Sequence, residues 1–211
     1  MAPRPTLRQE KAAWAEERLL VGVDEAGRGP LAGPVVAAAV VFPAGCTAVR
    51  GLRDSKTLPA SIRLKLAERI RQRALAFGVG AASSREIDRL NIRVATALAM
   101  HRAIAILLRR SPLPRPHRIL IDGLPLPEIG YAHDALVDGD ARCQSISAAA
   151  ILAKTVRDLL MQRLARRYPV YKWETNVGYG TPEHTEALAL EGPCRHHRHT
   201  FAPLAQLALP L

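Results

Sequence analysis

The sequence predicts an α/β domain with additional helices at its C-terminal end. Short apolar runs rich in Val, Ile and Ala are typical of buried strands, and they occupy residues 19–23, 34–42 and 119–121. Apolar residues also recur with a helical period, over residues 59–75, 92–108 and 146–166. Strands that alternate with helices of this length are characteristic of α/β domains.

The first half of the chain contains three predicted strands and the helix that joins the last two. Residues 19–23 and 34–42 are expected to pair, and residues 77–82 form the third strand. A helix is predicted over residues 59–75, because a proline suits its first turn. Its apolar stripe consists of Ile62, Leu66 and Ile70.

A second helix is predicted after the third strand. The sequence Ser83-Ser84-Arg85-Glu86 is typical of a capping box, in which a serine and a glutamate satisfy main-chain N–H groups reciprocally. The helical pattern continues over residues 92–108. Its core candidates are Leu98, Ile104 and Leu108.

The second half of the chain begins with a proline-rich connector at residues 111–116, which is expected to be stiff. A buried strand at residues 119–121 and a fifth strand at residues 131–137 are predicted to follow. A long alanine-rich helix then covers residues 146–166. A threonine N-cap and a first-turn proline predict a shorter helix over residues 181–192.

Length and composition indicate one domain with a short N-terminal tail. The 211 residues suffice for one core, which we expect over residues 19–211; residues 1–18 are expected to be a partly disordered tail. The three cysteines, Cys46, Cys143 and Cys194, give no disulfide framework and suit a reducing cytoplasm. The apolar runs are too short to span a bilayer, so no membrane partner is expected. Nothing in the sequence resembles an assembly interface, and we expect a monomer.

The charge balance indicates a polyanionic partner. Thirty basic residues against nineteen acidic residues give a net charge of +11 and a pI near 10.4. Such a field favours nucleic acid, although basicity alone is not specific. Aromatic residues are only 4% of the chain, which argues against single-strand binding through stacking.

Two adjacent carboxylates, Asp24 and Glu25, end the first apolar run, and a glycine-rich loop with one arginine follows at residues 27–33. Successive strand side chains point to opposite faces, so the two acids cannot both be ordinary core residues. Acids beside a loop that can approach a ligand closely indicate a divalent cation and a phosphate in one place. A simple turn is the alternative for an isolated Asp-Glu pair.

The loop also fits a degenerate dinucleotide-binding pattern, Gly27, Gly29 and Ala32, which would make the protein a nucleotide-cofactor oxidoreductase. Two observations disfavour this alternative. The carboxylates before the loop would face the pyrophosphate, and residues 35–41 predict a strand where the pattern needs a helix.

Asp24 and Asp122 occupy equivalent positions, each directly after an apolar strand. Ligands of α/β sheets bind beyond the carboxyl ends of strands, so neighbouring strands would bring these carboxylates together, with Glu25 and Asp140 joining from adjoining loops. Four such anions repel one another, and a pair of Mg²⁺ or Mn²⁺ ions would resolve the conflict. Two ions about 3.5–4 Å apart can clamp both oxygens of a phosphoryl displacement. A helix cap is the alternative for Asp140 alone.

Six motifs carry a family resemblance. They are Asp24-Glu25-Ala26-Gly27-Arg28-Gly29-Pro30, Asp54-Ser55-Lys56, Ile121-Asp122-Gly123, Gly139-Asp140, the stretch from Ser147 to Lys154, and Gly178-Tyr179-Gly180-Thr181. Together they resemble bacterial ribonuclease HII, of the type 2 ribonuclease H family, over residues 19–204. The resemblance implies a ribonuclease H-like fold with a mixed five-stranded sheet flanked by helices and a C-terminal helical extension. Residues 19–211 would then be the catalytic domain.

The resemblance also implies an activity. Such enzymes cut the RNA strand of RNA–DNA hybrids, and cut on the 5′ side of a single ribonucleotide in duplex DNA to leave 3′-hydroxyl and 5′-phosphate ends. Asp24, Glu25, Asp122 and Asp140 would be the carboxylates that hold two Mn²⁺ or Mg²⁺ ions.

Substrate contacts follow from the same motifs. Gly27, Arg28 and Gly29 would contact the 2′-hydroxyl of the ribonucleotide largely through the main chain, and Tyr179 would pack against the neighbouring deoxyribose. A 2′-hydroxyl is the group that distinguishes ribose from deoxyribose, and glycines let main-chain atoms reach it. Lys56 and Lys154 are candidate phosphate contacts, with a solvated surface charge as the alternative for each.

The chain departs from the family pattern at several positions. Asn176-Val177 stands where the family often has His-Lys, Ala150 replaces a frequent serine, and Arg198-His199-Thr200-Phe201 stands for Arg-Arg-Ser-Phe. The histidine-rich segment 194–199 lacks the ligand spacing of a zinc site, and we expect it to be a basic surface along the duplex.

A module that binds hybrids without cutting them is the second hypothesis for the function. It is disfavoured because carboxylates that face phosphates need a cation.

Overall fold

The computed structural model describes residues 4–110 and 117–207, and it contains a mixed five-stranded sheet in the order β3-β2-β1-β4-β5. The predicted strands are all present. Their bounds are β1 Leu19–Ala26, β2 Val35–Val41, β3 Ala76–Ala82, β4 His117–Asp122 and β5 Asp134–Leu136. The fifth strand is shorter than the seven residues predicted from the sequence. The proline-rich connector at residues 111–116 lies outside the described residues.

The strand register brings the two strands that end in aspartate side by side. β2 is antiparallel to both β1 and β3, whereas β1 and β4 are parallel, with Val23 opposite Ile121. Asp24 is the residue after Val23, and Asp122 is the residue after Ile121. Because the two strands are parallel, both aspartates lie at the same edge of the sheet. β5 extends the parallel part through the pairing of Leu136 with Asp122.

Helices cover both faces of the sheet, and more helices follow at the C-terminal end. Those of the described chain are α1 Arg8–Ala15, α2 Ala60–Arg73, α3 Ser84–Arg110, α4 Gly139–Arg142, α5 Gln144–Ala165, α6 Trp173–Asn176, α7 Pro182–Glu191 and α8 Ala202–Leu207. α3 packs against one face, while α2 and α5 pack against the other. The predicted α/β class and C-terminal extension are therefore confirmed.

The helix α3 begins with the predicted capping box. The main-chain N of Ser83 donates to Glu86 Oε2 at 2.8 Å, and the main-chain N of Glu86 donates to the Ser83 hydroxyl. At Asn91 the backbone is not helical (φ 65°), and the helix restarts as its side-chain oxygen accepts from the next N–H groups. By length and composition α3 could also cross a membrane, but Ala103, Ile104 and Leu107 are buried in the core beside the sheet. That burial accounts for its apolar character.

The apolar stripe predicted for the helix over residues 59–75, which is α2, is wrong at one position. Leu66 and Ile70 are buried, but Ile62 is 41% exposed and Arg63 is buried in its place. The guanidinium of Arg63 donates to Asp158 Oδ2 on α5 at 2.6 Å. Arg63 also donates to the main-chain oxygens of Ser55 and Leu58, so its inward position joins α2 both to α5 and to the segment before α2.

Within the tail predicted over residues 1–18, residues 8–15 form the helix α1. Glu10 is fully buried, and its Oε1 accepts hydrogen bonds from the main-chain N and the hydroxyl of Ser145, at 2.7 and 2.8 Å. These groups lie in the first turn of α5, where a carboxylate is favoured by the helix dipole. The contact between Glu10 and Ser145 thus holds α1 against α5, and the sequence of α1 alone does not predict it.

A glycine in β1 lets α5 pack against the sheet. A methyl group at Gly22 would overlap the main chain of Ser145 and Ile146, neither of which can move aside by changing a rotamer. Because α5 carries the segment beside the strand ends, this close approach sets its distance from the carboxylates.

Replacing Gly22 with alanine should therefore destabilise the fold by about 3 kcal/mol, because the added carbon overpacks main-chain atoms. The measurement is the free energy of unfolding in urea. Gly45→Ala is the control, since Gly45 faces open space with φ +76° and should lose only about 1 kcal/mol. Equal losses for the two variants would contradict the close approach.

Candidate active site

Four carboxylates lie around the carboxyl ends of β1 and β4. Asp24 is 6% exposed, and Glu25 lines a cavity of about 290 Å³ together with Arg28 and Asp122. Asp122 ends β4 and its Oδ1 accepts a hydrogen bond of 2.7 Å from the main-chain N of Gly139. That bond draws the first turn of α4, which carries Asp140, toward the end of β4.

The electrostatics of the site are those of crowded, buried anions. Burial raises the pKa of Asp24 well above its usual range, and the charges of Glu25 and Asp122 raise it further. Burial also raises the pKa of Glu25, although Arg28, 3.4 Å from Glu25 Oε1, opposes this rise. The pKa of Asp140 is raised by burial and then by Asp122. The groups therefore interact although they come from three separate segments.

The carboxylate oxygens fit a hard divalent cation. One oxygen of Asp24 accepts from the main-chain N of Glu25, one of Glu25 faces Arg28, and one of Asp122 accepts from Gly139. The oxygens that remain are the type of ligand that Mg²⁺ and Mn²⁺ prefer. Within residues 4–110 and 117–207, no three acidic, histidine or cysteine side chains already enclose an ion site.

A buried arginine near the C-terminus holds the glycine-rich loop. Arg198 is fully buried, and its guanidinium donates to the main-chain oxygens of Gly27, Arg28 and Gly33 at 2.6–3.0 Å. Burial and the neighbouring Arg157 lower the pKa of Arg198 to about 9, which leaves it charged at neutral pH. The loop carbonyls are therefore turned inward onto a cation.

A second buried arginine holds the other side of the same loop. Arg157 on α5 donates to the main-chain oxygens of Ala32, Pro34 and Val177. It lies so close to Gly27, where φ is +96°, that a side chain at this position would overlap it. Arg157 thereby ties the loop to the segment that precedes Tyr179.

Sequence reasoning missed both arginines. Arg157 carries no motif signal, and the segment 194–199 was predicted to be a basic surface. That prediction is wrong for His197 and Arg198, which are fully buried. Arg195 and His199 are exposed, as predicted. The local sequence carries no signal for the burial of Arg198, because the carbonyls that accept from it lie about 170 residues away along the chain.

The structure brings Tyr179 next to the Gly-Arg-Gly loop. The side chain is 43% exposed, and a Cβ built on Gly29 would lie 3.8 Å from Tyr179 Cε1. The main-chain oxygen of Gly178 accepts hydrogen bonds from Leu31 and Ala32 at 2.8 and 3.3 Å, which fastens the tyrosine turn to the loop. The ring and the loop thus share one surface.

The two predicted phosphate contacts lie in one place but differ in their partners. Lys56 and Lys154 line a common cavity of about 300 Å³. The Lys154 Nζ is 2.8 Å from Asp158 Oδ1, and Asp158 also pairs with Arg63. Lys56 is exposed, and its charge acts against the rise in the pKa of Asp140. Of the two lysines, Lys56 is therefore the one whose charge acts on a carboxylate of the site, whereas Lys154 is paired with Asp158.

Solved structures of known proteins share this fold. The chain matches the ribonuclease H2 of Pyrococcus horikoshii OT3 with a TM-score of 0.71 and 24% identity, over 90% of this chain and 96% of that one. It matches Bst-RNase HIII, solved in complex with Mn²⁺, with a TM-score of 0.69 and 20% identity, over 90% of this chain and 68% of that one. The fold is that of the type 2 ribonucleases H.

Sequence comparison defines the family. The family profile of ribonuclease HII matches residues 21–204. The ribonuclease HII of Synechococcus sp. (strain JA-3-3Ab) is 52% identical over 207 residues, which cover 97% of this chain and 91% of that protein. The chain belongs to the ribonuclease HII family, as its motifs predicted, and is an endoribonuclease that acts on RNA–DNA hybrids.

The raised pKa of Asp24 leads to a test that needs no substrate. A carboxyl whose folded-state pKa exceeds its unfolded value makes the protein less stable as pH rises through that pKa. In a chelator at pH 8, Asp24→Asn should therefore raise the melting temperature by about 2–4 °C, the change that roughly 1 kcal/mol makes at this chain length. The gain should shrink at pH 5, and added Mn²⁺ should raise the melting temperature of the variant less than that of the wild type.

The control for this comparison is Asp134→Asn, whose exposed carboxylate pairs with Arg118 at the start of β5. An exposed ion pair contributes little, so its effect should be small and similar at both pH values. A gain for Asp24→Asn that is equal at pH 5 and pH 8 would contradict the charge repulsion.

The role of Arg198 can be tested by a substitution that keeps the charge. Arg198→Lys should lower the free energy of unfolding by about 3 kcal/mol, because an ammonium group cannot reach three carbonyls at once. Urea denaturation measures the change. Arg195→Lys, at an exposed arginine three residues earlier, should alter stability by less than about 0.5 kcal/mol. Similar losses of stability at the two positions would refute the conclusion that Arg198 holds the glycine-rich loop.

Proposed function

We propose that the protein is a divalent-metal-dependent endonuclease that cuts on the 5′ side of a single ribonucleotide in duplex DNA, besides cutting the RNA strand of hybrids. The products would carry 3′-hydroxyl and 5′-phosphate ends. One observation carries the proposal: an arginine-clamped Gly-Arg-Gly loop lies directly after the acidic end of β1, with Tyr179 beside it. Chemistry and ribose recognition would thus share one site.

Asp24, Glu25, Asp122 and Asp140 are the residues proposed to hold the cations, either Mn²⁺ or Mg²⁺. The raised pKa values of three of them support this role, because crowded anions that are removed from water favour binding of a cation. The Mn²⁺ complex of Bst-RNase HIII, a protein of the same fold, supports the choice of ion. When bound, two divalent cations supply the charge that activates water and stabilises the leaving oxygen of an in-line displacement.

The loop over Gly27, Arg28 and Gly29 is proposed to recognise the 2′-hydroxyl. The carbonyls of Gly27 and Arg28 point to Arg198, and no described residue accepts a hydrogen bond from the main-chain N–H groups of the three loop residues. Those donors are therefore available to a ligand. A 2′-hydroxyl can accept from them, whereas a deoxyribose leaves them without a partner.

Tyr179 is proposed to lie flat against the deoxyribose next to the ribonucleotide, which lets the enzyme detect the RNA–DNA junction. Its exposure and its position beside Gly29 support this contact. Lys56 and Lys154 are proposed to bind backbone phosphates on the side of the site where they line a cavity. Lys154 would have to share its charge with Asp158, so we expect Lys56 to contribute more.

The net charge of +11 supports binding to nucleic acid through the phosphate backbone. All three cysteines are free thiols, which suits the cytoplasm that we propose as its location. We propose that it acts there as a monomer on RNA–DNA hybrids and on duplex DNA containing ribonucleotides.

The experiment uses duplex DNA with one internal ribonucleotide, in Mn²⁺ or Mg²⁺. Cutting on the 5′ side is expected, with complete loss in chelator and with the 2′-deoxy analogue. Asp24→Asn and Asp122→Asn should each lower the rate by about a hundredfold or more, while Asp134→Asn should leave it unchanged. Cutting that persists in chelator would overturn the metal dependence, and equal cutting of the deoxy substrate would overturn the role of the loop.

A further inference from the structure

Two fully buried histidines, His184 on α7 and His197 before α8, meet beneath the turn that carries Tyr179. Their Nε2 atoms are 3.0 Å apart, and His184 Nδ1 is 2.8 Å from the main-chain oxygen of Tyr179. The indole Nε1 of Trp173 is 3.1 Å from His184 Nε2, and the main-chain N of Cys194 is 2.9 Å from His197 Nδ1. Every nitrogen of the two rings therefore has a partner.

These partners fix where the ring protons lie. The carbonyl of Tyr179 only accepts, so His184 Nδ1 carries a proton; the indole of Trp173 only donates, so His184 Nε2 carries none. His197 Nε2 must then donate to His184, while His197 Nδ1 accepts from the N–H of Cys194. Both rings are neutral, in keeping with burial, which lowers the pKa of His184 and lowers that of His197 to about 4.

The main chain, not the ring, is what holds Tyr179 in place. The ring is exposed on the surface. The main-chain oxygen of Tyr179 accepts from His184 and from the N–H of Thr181 at 2.8 Å, and its N–H donates to the main-chain oxygen of Asn176 at 2.9 Å. His184 is the one side chain among these contacts that links the turn to the core of the C-terminal extension.

We propose that His184, oriented by His197, positions Tyr179 for contact with the deoxyribose at the RNA–DNA junction. The inference rests on the proposed role of Tyr179. His197 is followed by Arg198, whose guanidinium holds the carbonyls of Gly27 and Arg28. Two consecutive residues thus support both halves of the substrate surface, the ribose loop directly and the tyrosine turn through His184.

Two substitutions of His184 separate positioning from packing. In His184→Asn, the amide nitrogen falls close to the place of Nδ1 and can still donate to the carbonyl of Tyr179, although the side chain is smaller. In His184→Phe, the ring volume is kept but the donor is lost. Both variants leave the groups of Trp173 and His197 without their acceptor, so they are matched in that respect.

The measurement is the ratio of kcat/KM for duplex DNA with a single ribonucleotide to kcat/KM for a uniform RNA–DNA hybrid. His184→Phe should lower this ratio by about tenfold, since a small displacement of a positioned group has an effect of this order. His184→Asn should keep most of it, even if it melts at a lower temperature than His184→Phe. A ratio that follows stability, with the phenylalanine variant the better of the two, would overturn the proposal.

Tyr179→Ala distinguishes this inference from the proposed function. It should lower the ratio by itself, and adding His184→Phe to it should cause no further loss, because both changes remove the same contact. If Tyr179→Ala leaves the ratio unchanged, the role of Tyr179 is wrong and the inference falls with it. If Tyr179→Ala lowers the ratio but the two His184 variants behave alike, the inference alone is wrong.

A second pair of variants applies if His184→Phe does not fold. His197→Gln retains an amide donor near the place of Nε2, whereas His197→Phe does not. The glutamine variant should keep the higher ratio, and equal ratios for the two would overturn the role of His197.

Discussion

Repulsion between carboxylates at the ends of two parallel strands is the constraint on which the rest of the structure depends. The pairing of β1 with β4 makes Asp24 and Asp122 neighbours at one edge of the sheet, and burial prevents water from screening their charges. Such an arrangement is unfavourable, so other contacts must hold the carboxylates in place. These contacts are the hydrogen bond from Gly139 to Asp122 and the close packing of β1 against α5. The same repulsion is what gives a bound cation its affinity.

The loop beside these anions is held from within by cations. Arg157 and Arg198 are buried near one another, and main-chain carbonyls rather than carboxylates surround their guanidinium groups. Carbonyl dipoles satisfy the donors without adding a negative charge to a site that already has four. One consequence is that the main chain of the loop has a defined direction, with oxygens toward the core. The C-terminal extension thereby becomes part of the active site although none of its own described carboxylates joins the acidic cluster.

Much of this architecture follows from local sequence patterns, and the differences have identifiable physical causes. The paired acids at Asp24 and Glu25 and the Ser83–Glu86 capping box were predictable, because each depends on neighbours within a few residues. The inward turn of Arg63 and the burial of Arg198 were not, because the carboxylate that pairs with Arg63 lies 95 residues away and the carbonyls that accept from Arg198 lie about 170 residues away. A charged side chain gives no sign in a single sequence of whether distant carbonyls or carboxylates will receive it.

The buried contact between Glu10 and Ser145 links the beginning of the chain to the helix that follows Asp140. Truncating the N-terminal tail, as is often done to shorten a protein for crystallisation, would remove the carboxylate of Glu10, which accepts from the first turn of α5. The loss would reach the acidic cluster through α4, although no residue of the tail belongs to that cluster. An affinity tag should therefore be added before α1 through a linker, and it should not replace α1.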